Sequence, residues 1–165
     1  MAVSRLYVDA NVYIRLFEGT DELSRVLSEL FSIDRNSEPY LATSELTLAE
    51  VLVLPTRRKD VQLISVYDNW TISNSYIEVG PIVRDVLRCA AILRASYLSL
   101  KLPDAIHLAT ALLMRCSHFL TADERLGGEY EMLVGRNEFN RVHHSVEVLR
   151  PEVSVVNRLV EDLSR

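Results

Sequence analysis

Apolar positions along this chain fall in turn into short runs and into helical stripes. Arg5 to Val8 is a short run that reads as a strand ending at Asp9. Asn11 to Phe17 continues at helical spacing until Gly19 stops it. Thr20 can cap a second helix, with Asp21 and Glu22 in its positive first turn and Leu23, Val26, Leu27 and Leu30 as its stripe. Pro39 to Thr43 reads as a strand, and Ser44 can then cap a helix that runs to Leu54 and ends at Pro55. Arg57 to Asn69 is another helical stretch, followed by a short strand over Tyr76 to Val79. Gly80-Pro81 opens a long helix with Ile82, Val86, Leu87, Ala90 and Leu93 on one side. Pro103 suits the first position of a helix running to about Cys116. His118 to Leu120 and Val142 to Leu149 are the last strands, and Pro151 closes the second.

Strands separated by helical runs imply βαβ units: an α/β fold with a mostly parallel central sheet of four to five strands and helices on both faces. In such a sheet the site lies outside the carboxyl ends of the strands. There is no internal repeat, and no linker before Pro151. That residue separates a domain over 1–150 from a C-terminal amphipathic helix or tail over 151–165. In the tail, Val153, Val156, Val160 and Leu163 form a stripe. It either docks on its own domain or packs on a second subunit, and the first reading is favoured.

Composition narrows the class. With 165 residues, 48% hydrophobic and 25% charged, the chain matches one globular domain. Disordered, collagen-like and disulfide-scaffold classes are excluded. No apolar run reaches the ~18 residues of a membrane span, so no membrane association is expected. Met1 to Ala10 lacks the apolar stretch of a secretory signal. Cys89 and Cys116 lie in apolar helical patterns and read as buried free thiols, which points to a cytoplasmic location. The net charge of −5 argues against a general nucleic-acid coat protein. Zinc spacings, dinucleotide and NTP glycine loops and a serine-hydrolase elbow are all missing from the sequence.

Four acids remain as candidate chemistry. Asp9 and Asp123 each follow a strand and precede an expected helix, and Asp104 lies in the first turn behind Pro103. Each of these three has an ordinary explanation as a helix cap or dipole partner. Glu50 sits inside the apolar run Leu46 to Leu52, where an unpaired carboxylate is costly. Only a helix crossing the carboxyl edge of the sheet could aim it at the other three. His107, one turn after Asp104, reads as a packed histidine rather than a general base. His143 and His144 share a strand, so one faces in and one out.

The segments Tyr7-Val8-Asp9-Ala10-Asn11-Val12, Thr47-Leu48-Ala49-Glu50-Val51-Leu52, Leu102-Pro103-Asp104-Ala105-Ile106-His107-Leu108-Ala109-Thr110-Ala111 and Phe119-Leu120-Thr121-Ala122-Asp123 resemble the PIN domain. They are most similar to the VapC-type ribonuclease toxins of toxin–antitoxin pairs. The match runs over roughly residues 4 to 150. The resemblance implies a three-layer α/β/α fold in which Asp9, Glu50, Asp104 and Asp123 gather around Mg²⁺ or Mn²⁺. Such hard cations prefer carboxylate and water oxygens. It also implies that Asn11 and Thr121 orient these carboxylates, although capping and turn bonding explain both residues nearly as well. Setting the four acids aside leaves the chain at −1, near neutral, so a local basic rim is possible. Lys101 and the Arg57-Arg58-Lys59 cluster are its candidates, with a solvated helix face the favoured reading of the cluster.

The function implied is a metal-dependent endoribonuclease acting on an unpaired loop of RNA, as the toxin of a type II pair. Its partners would be the RNA substrate, a small antitoxin that blocks the acidic site, and a second copy in a homodimer. The alternatives are a housekeeping RNA-processing nuclease and a PIN-like scaffold without turnover. A phosphatase lacks its second aspartate, because Asp9-Ala10-Asn11 is not Asp-x-Asp.

Overall fold

The computed structural model describes residues 3–33, 39–134 and 142–164. Met1, Ala2 and Arg165, which the readings of the N-terminus and the tail include, lie outside them. The strands are β1 (Leu6–Val8), β2 (Leu41–Ser44), β3 (Ile77–Gly80), β4 (His118–Leu120), β5 (Glu129–Val134) and β6 (Val142–Leu149). The helices are α1 (Ala10–Glu18), α2 (Glu22–Phe31), α3 (Glu45–Val51), α4 (Val53–Arg58), α5 (Val61–Trp70), α6 (Arg84–Ser96), α7 (Leu102–Leu113) and α8 (Val153–Leu163). One sheet runs in the order β3-β2-β1-β4-β6-β5. Every pairing is parallel except the β5–β6 hairpin. The strand order therefore reverses between β1 and β4, where an open α/β sheet leaves a crevice at its carboxyl edge.

Period-two alternation divides the core. Leu6 and Val8 face one layer, with Val12 and Tyr13 of α1, Val26, Leu27 and Leu30 of α2, and Val156, Leu159 and Leu163 of α8. Tyr7, between them, faces the opposite layer with α6 and α7. Helix α7 is buried continuously from Ala105 to Leu112. Its alanines at 105, 109 and 111 let it lie close against both sheet and α6. The tail helix α8 docks on α2 within its own chain, as favoured above.

Several expectations are corrected. The sheet has six strands among the described residues, not four to five. The unexpected one is β5, whose Tyr130 and Met132 are buried between exposed Glu129 and Glu131. No helix follows Asp123; a turn leads straight into β5. Pro55 does not end a helix. It sits in the first turn of α4, where a missing N–H leaves no helical bond unmade. The stretch from Arg57 to Asn69 is broken where Lys59 adopts a left-handed conformation (φ 56°) and Asp60 caps α5. Asp21, not Thr20, caps α2, by accepting from the Ser24 N–H. Gly80 belongs to β3, and α6 starts only at Arg84.

Candidate metal centre

Strands β2, β1 and β4 are neighbours, so the residues leaving their carboxyl ends meet. Asp9 leaves β1 as the N-cap of α1 and is 8% exposed. Its Oδ1 accepts from the Ala10 N–H at 2.8 Å. Its Oδ2 accepts from Asn11 Nδ2 at 2.6 Å and from the Thr121 hydroxyl at 2.6 Å. Asn11 also donates to Thr121 Oγ1 and accepts from the Ala122 N–H through Oδ1. Thr121 Oγ1 accepts in turn from the Asp123 N–H at 3.0 Å. This closed set fixes the Asp9 carboxylate and ties it to the loop after β4.

Glu50 arrives from β2. The strand ends at Ser44, α3 begins at once, and Glu50 near its end turns toward the crevice with 36% of its side chain exposed. Its Oε2 lies 3.0 Å from His107 Nε2. The same nitrogen is 3.8 Å from Asp9 Oδ1. One ligand atom from each of Asp9, Glu50 and His107 lies within 4.8 Å of the others. Helix α7 places His107 one turn beyond Asp104 and buries it to 2% exposure, so the packed reading holds but is incomplete. Its Nδ1 meets Tyr7 Oη at 2.8 Å and Ser44 Oγ at 3.3 Å.

Asp104 and Asp123 share one guanidinium. Arg125 pairs with Asp123 through Nε (2.9 and 3.1 Å) and NH2, and its NH2 lies 3.8 Å from Asp104 Oδ2. Burial raises the Asp104 carboxyl above the usual carboxylate range, against the pull of Arg125, and the charges of Asp123 and Asp9 push it further up. At Asp123 the same guanidinium prevails, and its hydrogen bonds draw the carboxyl down to about 2. Lys101 contributes to that lowering from the N-cap of α7. Arg57 and Arg58 are exposed at the end of α4 and make no ion pair with the four acids among the described residues. Arg150, at the end of β6, donates to the carbonyls of Thr121 (3.0 Å), Asp123 (2.7 Å) and Leu126 and so clamps the loop that carries Asp123.

The arrangement thus brings Asp9 and Glu50 together directly and links Asp123 to Asp9 through Thr121. Asp104 joins through Arg125 and the field of its neighbours. Sequence reasoning underrated His107 and passed over Arg125 and Arg150. Proximity to a candidate acid was the available signal for His107, one turn from Asp104, and for Arg125, two residues from Asp123, whereas nothing local marked Arg150. The cluster offers two carboxylates and an imidazole, and the charges of Asp123 and Asp9, which add to the effect of burial on Asp104, are offset by a cation. Both features fit a divalent metal ion.

The model of the PIN domain family matches residues 6–127. The chain belongs to the PIN domain family. Solved structures agree with this assignment. A chain of a toxin–antitoxin complex from Klebsiella pneumoniae is 30% identical, with 73% of this chain and 87% of that chain covered and a TM-score of 0.52. VapC20 from Mycobacterium tuberculosis, a sarcin–ricin loop cleaving toxin, shares the fold at 18% identity and a TM-score of 0.55, over 72% of this chain and 91% of that one. A chain of VapBC2 from Rickettsia felis, solved with a DNA fragment from its promoter, does so at 17% and 0.53, over 72% and 86%. No curated protein matches the sequence. Among the described residues of this PIN-domain chain, no helix is long and apolar enough to cross a membrane.

Proposed function

We propose that this PIN-domain chain is a divalent-metal-dependent endoribonuclease and the toxin of a type II toxin–antitoxin pair. One observation carries the reading: Asp9 and Glu50, from separate parts of the sequence, meet with His107 at the switch point of the sheet, and Asp104 and Asp123 are linked to the same region through Arg125 and Thr121. In this reading Asp9, Glu50, Asp104 and Asp123 hold Mg²⁺ or Mn²⁺. When bound, such an ion supplies polarisation of the scissile phosphate and a lowered pKa for the attacking water. The protein's own contribution is geometric. Asn11 and Thr121 lock Asp9, Arg150 anchors the loop under Asp123, and the buried floor formed by α7 limits the access of bulk water. Arg125, which pairs with Asp123 and Asp104, and Lys101, whose charge acts on Asp123, are in this reading the cations that meet a phosphate backbone, with the exposed Arg57 and Arg58 as further candidates.

The kinship with chains of toxin–antitoxin complexes supports a small antitoxin as partner, one able to place a basic side chain against the acids. A homodimer, to be checked by analytical ultracentrifugation, and a cytoplasmic setting complete the proposal. The decisive experiment incubates the purified chain with total RNA and Mn²⁺ or Mg²⁺ and maps the new 5′ ends. Discrete cleavage is expected, abolished by EDTA and lowered at least 100-fold in Asp9→Asn, given the transition-state stabilisation such a charged group supplies. Intact RNA with every divalent ion would refute the nuclease reading. Cleavage in vitro without growth arrest on expression would favour RNA processing over a toxin.

A further inference from the structure

We infer that His107 is a positioning residue for Glu50: its Nε2–H, kept in place by the Tyr7 hydroxyl donating to Nδ1, holds the Glu50 carboxylate in the orientation that receives the divalent ion. The inference rests on the nuclease reading above and adds a residue to it. Tyr7 is fully buried, and its hydroxyl lies 2.8 Å from His107 Nδ1, where the phenol O–H donates. Ser44 Oγ lies 3.3 Å from the same Nδ1. With Nδ1 as acceptor, the ring presents its N–H at Nε2. That nitrogen is 3.0 Å from Glu50 Oε2, a distance a carboxylate oxygen keeps from a donor and not from a bare lone pair. Asp9, at 3.8 Å, lies beyond hydrogen-bond reach and has its own donors.

The anchored part of this chain is buried and the anchored acid is not. Tyr7 and His107 are 0% and 2% exposed, whereas Glu50 keeps 36% of its side chain in solvent. Without the imidazole a long, half-exposed glutamate has several rotamers to choose among. Hydrogen bonds that orient a ligand from behind commonly change metal affinity 10- to 100-fold.

The test has two arms. In the first, ¹⁵N NMR of the metal-free wild type at neutral pH is expected to show the Nε2-protonated tautomer of His107. An Nδ1-protonated ring, with Nε2 bare toward Asp9 and Glu50, would overturn the inference and make His107 a direct ligand. In the second, calorimetric titration with Mn²⁺ is expected to show His107→Phe weakened about tenfold or more. His107→Gln, whose amide N–H can reach the same oxygen, should recover most of that loss, and His107→Phe should add nothing in a Glu50→Gln background. Equal Mn²⁺ affinity in wild type and His107→Phe would overturn the inference while leaving the nuclease reading intact. A wild type that binds no Mn²⁺ and cuts no RNA would remove both. Should His107→Phe fail to fold, Tyr7→Phe keeps the ring packing and removes the donor, and it is expected to mix the tautomers and weaken Mn²⁺ binding.

Discussion

Asp104 and Asp123 share the Arg125 guanidinium, yet their carboxyls shift in opposite directions, because burial prevails at Asp104 and the hydrogen bonds from Arg125 prevail at Asp123. Burial raises the carboxyl of Asp104, so the folded protein holds that proton more readily than the unfolded chain does. Its contribution favours folding at low pH and is lost as pH rises through the raised value. At neutral pH the metal-free protein therefore carries a penalty there. Asp104→Asn is expected to raise the melting temperature of the metal-free protein at pH 7, and the gain should vanish on acidification through the carboxylate range. Asp123 is drawn down to about 2, chiefly by its hydrogen bonds with Arg125. Its stabilisation is present above the unfolded carboxylate range and fades as pH falls from about 4 toward 2. Asp123→Asn should accordingly lower the melting temperature at pH 7. The effect should be small and should shrink with added salt, because Arg125 is half exposed. Thermal melts of the two variants from pH 3 to pH 8 check both signs.

Outside the acids, one side chain holds the loop that carries Asp123 and one helix completes the core. The loop after β4 has no helix to stiffen it; Arg150 takes that role through three carbonyls. Arg150→Met keeps the aliphatic stem and removes the donors, at an expected cost of about 1.5–3 kcal/mol. Urea denaturation measures that cost, and faster amide exchange in residues 121–126 would localise it. Helix α8 presents Val156, Leu159 and Leu163 to α2, all three within the core. Leu159 is fully buried, and Leu159→Ala is expected to cost about 2–5 kcal/mol, read from the urea midpoint. The stripe at 153, 156, 160 and 163 predicted a helix with one apolar side, and that side does point inward. Leu159, which lies one position off the chosen stripe, proved more buried than Val153 or Val160, because a helix face wider than one row meets α2.

For the molecule as a whole, Asp9, Asp104 and Asp123 act on one another through their charges, and on the proposed reading a divalent ion should stabilise the fold by mass action. Mn²⁺ at 100 times its dissociation constant contributes about 2.7 kcal/mol, roughly 5–10 °C in melting temperature for a chain of this size. Differential scanning fluorimetry should show that rise in wild type and lose most of it in Asp9→Asn. Sequence by itself determined the alternation of strand and helix, the acids worth watching and the order in which they occur, because periodicity, caps and prolines act over a few residues. It placed β1, β4 and β6 closely, and the start of α7 to within one residue. It missed β5, an edge strand whose two inward residues are too few to stand out, and it misread Pro55, whose effect depends on its position within a helical turn. Which acids meet was decided by the tertiary structure alone. Strand order brings the ends of β2, β1 and β4 side by side, and the pleat that turns Tyr7 away from Leu6 and Val8 delivers its hydroxyl to His107. His107 and Glu50 are 57 residues apart, a contact that no local pattern encodes and that exists only once the sheet has formed.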